Sequence, residues 1–96
     1  MEDLRRVFDA LRNGKRLKIV VSLLESGEAT VGQISNEHKL PLTTTSRHLK
    51  LLEGAGVVRT RQQGTYVYYS ADTLSPSFAV RSVLSTIRRS PKRRRK

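Results

Sequence analysis

Apolar residues recur along this chain with two different periods. Leu4, Val7, Phe8 and Leu11 fall at i, i+3, i+4 and i+7, the spacing that lines one face of a helix. They predict an amphipathic helix over the first dozen residues. Asn13-Gly14 breaks it, and Asn13 can cap the next helix. Leu17, Val20, Val21 and Leu24 repeat the spacing, widened by Ile19 and Leu23, and predict a second, central helix that Ser26-Gly27 ends. Glu28-Ala29-Thr30 reads as a short extended connector. Thr30-x-x-Gln33 has capping-box spacing and predicts a third helix, with Val31, Ile34 and His38 on its inner face. Leu40-Pro41-Leu42 interrupts. Pro41 cannot continue a helix but suits the first turn of a new one, expected to run to about Gly54.

The period then changes from 3.6 to 2. Val57 to Gln62 and Thr65 to Ser70 read as strands joined at Gln63-Gly64, a hairpin. Alternation puts Val67 and Tyr69 toward the core and Tyr66 and Tyr68 on the other face. Asp72 to Pro76 is a turn, and Pro76 should open a last helix carrying Val80, Val83, Leu84 and Ile87. Helices three and four are separated by a helix-turn-helix connection, and a hairpin comes after them. The predicted fold is mainly α with a small β-hairpin: a winged helix-turn-helix of four helices, a hairpin wing and a fifth helix. Residues 1–90 should form this single domain, and residues 91–96 a basic tail, disordered when alone.

Composition narrows the function. The 96 residues include no Cys and no Trp, which excludes a disulfide framework and thiolate chemistry. No run has the length and apolarity of a membrane span or signal peptide, so the chain reads as soluble and cytoplasmic. The net charge is +11. Residues 81–96 carry Arg81, Arg88, Arg89, Lys92, Arg93, Arg94, Arg95 and Lys96 with no acid, while all eight carboxylates lie earlier. Such asymmetry points to a polyanionic partner. No phosphate loop, metal cluster or nucleophile–base pair is legible, so an enzyme is not expected.

The fourth helix carries the functional signal. Thr43, Ser46, Arg47 and Lys50 share one face, without a carboxylate until Glu53 at the end of the helix, opposite Thr45, Leu49 and Leu52, with His48 at the border. A helix in the major groove of double-stranded DNA needs such a face: hydroxyls for phosphates or base edges, Arg47 for guanine, Lys50 for a phosphate. The candidate reading residues are Leu42, Thr43, Thr44, Ser46, Arg47, His48 and Lys50. In the wing, Arg59, Arg61, Gln62, Gln63 and Gly64 cluster at the tip with no acid nearby in sequence, suited to flanking backbone. The tail residues Lys92, Arg93, Arg94, Arg95 and Lys96 are weaker candidates. An architectural DNA-binding protein with little sequence preference is the alternative, since it would use the same cations. A protein-docking module would not need them, and RNA binding lacks a single-strand stacking platform.

Thr43 to Leu52, continued by Ala55-Gly56-Val57-Val58, resembles the recognition-helix pattern of the ArsR/SmtB repressors. There a Ser-Arg-His-Leu core precedes Leu, Ala-Gly-Leu-Val and a basic wing ending in Val-Tyr-Tyr. This chain has Ser46-Arg47-His48-Leu49, and Val67-Tyr68-Tyr69 ends its wing. Arg16-Leu17-Lys18-Ile19 is similar to the family's Arg-x-x-Ile, and Thr30 to Ile34 to the start of its third helix. The match runs collinearly from about Leu4 to Leu74. It implies a prokaryotic homodimeric repressor on an inverted-repeat operator, nucleoid-associated when bound. The first and last helices would form the dimer interface, here Leu4, Val7, Phe8, Leu11, Val80, Val83, Leu84 and Ile87. Pro41 and Leu42 depart from the pattern, which commonly has Ser and a polar residue there. Leu42 lies nearer the core side of the wheel, yet is in reach of a thymine methyl.

The resemblance also implies where a sensor would be. One group of the family has a Cys-x-Cys pair at the head of the third helix, where this chain has Thr30 and Gly32. Another has Asp-x-His and His-x-x-Glu on the last helix, but Phe78 to Ile87 holds none of these residues. The two histidines, His38 and His48, lie on different helices, and the family's counterpart of His48 usually packs and hydrogen-bonds. No metal site and no cofactor are expected. An effector, whether a small molecule, a partner protein or none, is not legible.

Overall fold

The computed structural model describes residues 1–90 of the 96. Five helices and three short strands run in the order α1 (Glu2–Leu11), α2 (Gly14–Ser26), β1 (Ala29–Thr30), α3 (Val31–His38), α4 (Leu42–Gly54), β2 (Val58–Gln63), β3 (Tyr66–Ala71) and α5 (Phe78–Arg89). The caps explain the boundaries. Asn13 accepts from the amides of Lys15 and Arg16 and starts α2. Thr30 and Gln33 form the full capping box of α3. Lys39, left-handed at φ 55°, turns the chain out of α3 toward α4. Gly56, at φ 78°, ends α4 and lets the Val57 amide return to the Leu52 carbonyl at 3.0 Å.

One core unites these elements. Val7, Ile19, Val20, Leu23, Ile34, Leu49, Leu52, Val57, Val80 and Leu84 are buried, drawn from all five helices and the entry to the wing. The only buried polar residue on α4 is Thr45, whose hydroxyl donates to the Pro41 carbonyl at 3.1 Å. The sheet is antiparallel with order β1-β3-β2. Val58 pairs with Ala71, Thr60 with Tyr69 and Gln62 with Val67 on the face that meets the core at its base. Arg59, Arg61 and Gln63 face outward beside Ser70, Tyr68 and Tyr66.

Several expectations need correction. The connector at residue 29 is a strand: Ala29 pairs with Tyr69 and Thr30 with Tyr68. Two residues are too few to show a period of their own, and they become a strand only against the edge of β3. The hairpin is shifted one residue onward and turns at Gly64-Thr65, with Gly64 at φ 63°. Helix α5 starts at Phe78, not Pro76, because the Ser77 hydroxyl accepts from the Val80 amide. Pro41 caps α4 rather than sitting in its first turn. The buried face of α2 is Ile19, Val20 and Leu23, with Leu17 exposed. Its apolar residues are too dense to mark one stripe. Val67 is exposed because the wing outruns the core, whereas Tyr69 packs against it.

Candidate nucleic-acid interface

Burial of Thr45, Leu49 and Leu52 fixes the rotation of α4 and turns Thr43, Ser46, Arg47 and Lys50 to solvent. Among the described residues, the Arg47 and Lys50 side chains form no hydrogen bond or ion pair. Their donors are therefore available to a ligand without breaking an internal contact. Leu42 is 56% exposed, which corrects its expected place near the core side. As the first residue of the helix it has no preceding turn to cover it. Thr44 is partly covered at the flank.

His48 belongs to a different environment from the other six reading candidates. It is half-buried and faces α2, where Arg16 Nη1 donates to its Nδ1 at 3.4 Å. Arginine has no acceptor, so this bond assigns the lone pair to Nδ1 and the ring proton to Nε2. That Nε2 is sealed from solvent with no hydrogen-bond partner, an arrangement that costs about 1–3 kcal/mol. Burial first, then Arg16, Lys15 and Arg47, hold the ring's pKa below the ordinary histidine value. The other histidine, His38, is engaged with the Ser22 hydroxyl at 3.1 Å. No group of three or more His, Cys, Asp or Glu among the described residues could hold a metal ion.

The wing differs from its sequence reading. Arg61 lies over the Tyr68 ring at 4.9 Å and donates to both oxygens of Glu28, at 2.6 and 3.3 Å. It also donates to the Gln63 side chain at 2.7 Å. The wing face thus has an acid after all, brought in from the residue before β1. Of the wing candidates, Arg61 and Gln63 are tied to each other and Gln62 donates to the Gly64 carbonyl at 3.4 Å. Arg59 is exposed, and its side chain forms no hydrogen bond or ion pair among the described residues. Tyr66 is 62% exposed. Lys92, Arg93, Arg94, Arg95 and Lys96 lie outside the described residues.

The expected dimer face is also redistributed. Val7, Leu11, Val80 and Leu84 are buried within the chain's own core, where α1 packs on α5. They cannot serve a partner as well. Leu4, Val83 and Ile87 are partly covered, and Phe8 is 56% exposed. Phe78, which the sequence reading passed over because it falls outside the α5 stripe, is 75% exposed.

A helix-turn-helix whose outer helix face carries no acid before Glu53 in its last turn, with an appended hairpin, defines a winged helix-turn-helix DNA-binding protein. Comparison narrows the class. The pattern of the bacterial regulatory proteins of the arsR family matches residues 13–60. The chain is 39% identical over 70 residues to a CadC homologue, a cadmium resistance transcriptional regulatory protein of Staphylococcus aureus. That alignment covers 73% of this chain and 58% of the relative. It is 33% identical over 70 residues to the transcriptional repressor SdpR of Bacillus subtilis, covering 73% of this chain and 77% of SdpR. Among solved structures, it is similar to the homodimeric winged helix-turn-helix domain of a possible ArsR-family regulator from Mycobacterium bovis. There the TM-score is 0.75 at 31% identity, over 91% of this chain and 76% of that one. The repressor PagR of Bacillus anthracis gives a TM-score of 0.74 at 30% identity, over 90% and 93%. The chain belongs to the ArsR family of transcriptional regulators.

Proposed function

We propose that this chain is a sequence-reading repressor that binds an inverted-repeat operator as a homodimer, without a resident metal sensor. The observation that carries the reading is the outer stripe of α4, exposed from Thr43 to Lys50 with no carboxylate before Glu53 in the last turn, and with the Arg47 and Lys50 side chains unengaged. Thr43, Ser46 and Arg47 would meet base edges, with Leu42 against a thymine methyl, while Lys50 and Thr44 would hold phosphates. Arg59, with Gln62, Gln63 and Gly64, would track the flanking backbone. The homodimeric M. bovis relative supports the dimer, for which Leu4, Phe8, Val83 and Ile87 retain exposed surface. A two-fold dimer implies a two-fold operator. Thr30 and Gly32, in place of thiolates, support independence from soft metals. The protein would act in the cytoplasm on the nucleoid. No helix among the described residues is long and apolar enough to cross a membrane. If the five cations of residues 92–96 each neutralised one phosphate, they would steepen the salt dependence by roughly four to five units.

Selection of duplexes from a random pool by the full-length protein tests this reading. Enrichment of an inverted repeat bound by two chains supports it. A pool that stays unenriched while binding persists would make the protein an architectural binder instead.

A further inference from the structure

One side chain ties three helices together behind the DNA-reading face. Arg16 of α2 donates through Nε to the Ala10 carbonyl of α1 at 2.7 Å and through Nη1 to His48 of α4 at 3.4 Å. We propose that His48 is the positioning residue of the recognition helix: neutral, it docks α4 onto Arg16 and sets the stance of the outer stripe, and its protonation releases that docking and lowers sequence preference. The inference rests on the reading of α4 as the DNA-reading helix.

The chemistry is asymmetric. A neutral ring accepts at Nδ1, but an imidazolium has no lone pair and would turn an N–H and a positive charge toward a guanidinium. The other charges felt at the ring are also cationic, Lys15 from α2 and Arg47 from α4 itself. Helix α1 offers a carbonyl, already taken by Arg16. Among the described residues no carboxylate offsets them, and the sealed Nε2 has no acceptor to share the new charge. The ring therefore resists protonation, and its pKa lies below the usual histidine value. That direction fixes the sign. The unfolded chain takes up the proton first, so the docked form is favoured fully above the ordinary histidine pKa and loses that advantage as pH falls through the lowered one. Plain electrostatics runs the other way, because an added positive charge strengthens attraction to phosphates. Acidification should thus lower preference while arbitrary duplexes bind as well or better.

The test uses the full-length protein, a duplex it selects from a random pool at neutral pH, and a shuffled duplex of the same composition. Both affinities are measured from about pH 8 to about pH 4.5, a range that continues well below the ordinary histidine value. The expected result is that preference falls about tenfold, the worth of one lost base contact, while shuffled-duplex affinity holds or rises. His48→Asn keeps an acceptor where Nδ1 was and cannot be protonated, so its preference should stay flat. His48→Leu should lack preference at every pH. A wild-type profile that is flat, or that His48→Asn reproduces, overturns the proposal. If circular dichroism shows acid unfolding, the two variants at pH near 8 decide. Rescue by Asn and loss with Leu uphold the positioning role, and equal behaviour overturns it. A pool that yields no preferred duplex fails before pH is varied and overturns the DNA-reading assignment together with this one.

Discussion

The outer stripe of α4 and the outer face of the wing hold the same kinds of side chain in opposite states. Arg47 is exposed and engages no partner by hydrogen bond or ion pair among the described residues, whereas Arg61 is held by Glu28, Gln63 and the Tyr68 ring. A free arginine meets DNA at the cost of its own hydration and rotamer entropy alone. A tied one must first leave its partners, so its net gain on a phosphate is the difference between two similar contacts. On the proposed function, α4 would do the reading and the wing, through Arg59, would make a weaker backbone contact. The cause lies in which strand lies next to which. Glu28 precedes β1, β1 pairs with β3, and Tyr68 of β3 stands opposite Arg61 of β2.

The largest effect should come from the inner side of α4. Leu52→Ala removes a fully buried side chain and should destabilise the fold by about 2–5 kcal/mol, read by thermal denaturation. Arg47→Ala, on the same helix, should leave folding stability within about 0.5 kcal/mol and cost about 1–3 kcal/mol of binding to a selected duplex. Binding to a shuffled duplex should weaken far less. If both substitutions destabilised equally, the division of α4 into supporting and reading faces would be wrong. Asn13→Ala removes the cap that starts α2. It should cost about 1 kcal/mol, or roughly 4–8 °C in Tm for a domain of this size. Glu28→Gln should have the smallest effect on folding because the pair is exposed. It should loosen Arg61, which Gln63 and the Tyr68 ring still hold, and steepen the salt dependence of duplex binding by at most about 0.9 per subunit. Arg61 holds the Glu28 carboxyl below the usual carboxylate range. The pair is therefore complete above that range and is lost as pH falls through the lowered pKa, so strong acid should imitate the substitution.

Much of this was legible in the sequence because local rules carried it. The Asn13 cap, the Thr30–Gln33 capping box and the polar stripe of α4 each depend on residues within one or two turns. The structure adds what depends on distant residues. Glu28 and Arg61 are 33 positions apart, and Arg16 and His48 are 32 apart, so no spacing rule could join them. The stripes of α1 and α5 were legible as apolar, but periodicity does not say which apolar residues face the chain's own core. Val7, Leu11, Val80 and Leu84 do, whereas Phe8 does not. Leu42 shows the same limit at a helix end, where the wheel assumes a preceding turn that the chain lacks.

The outer stripe of α4 is proposed as the surface that reads sequence. Its most direct test is the ratio of affinities for a selected and a shuffled duplex, measured at several salt concentrations for the wild type and for Arg47→Ala. The expected result is a wild-type preference of about a hundredfold or more that survives near-physiological salt, cut about tenfold or more by the substitution. Equal affinities that collapse together as salt rises, unchanged in ratio by Arg47→Ala, would contradict it.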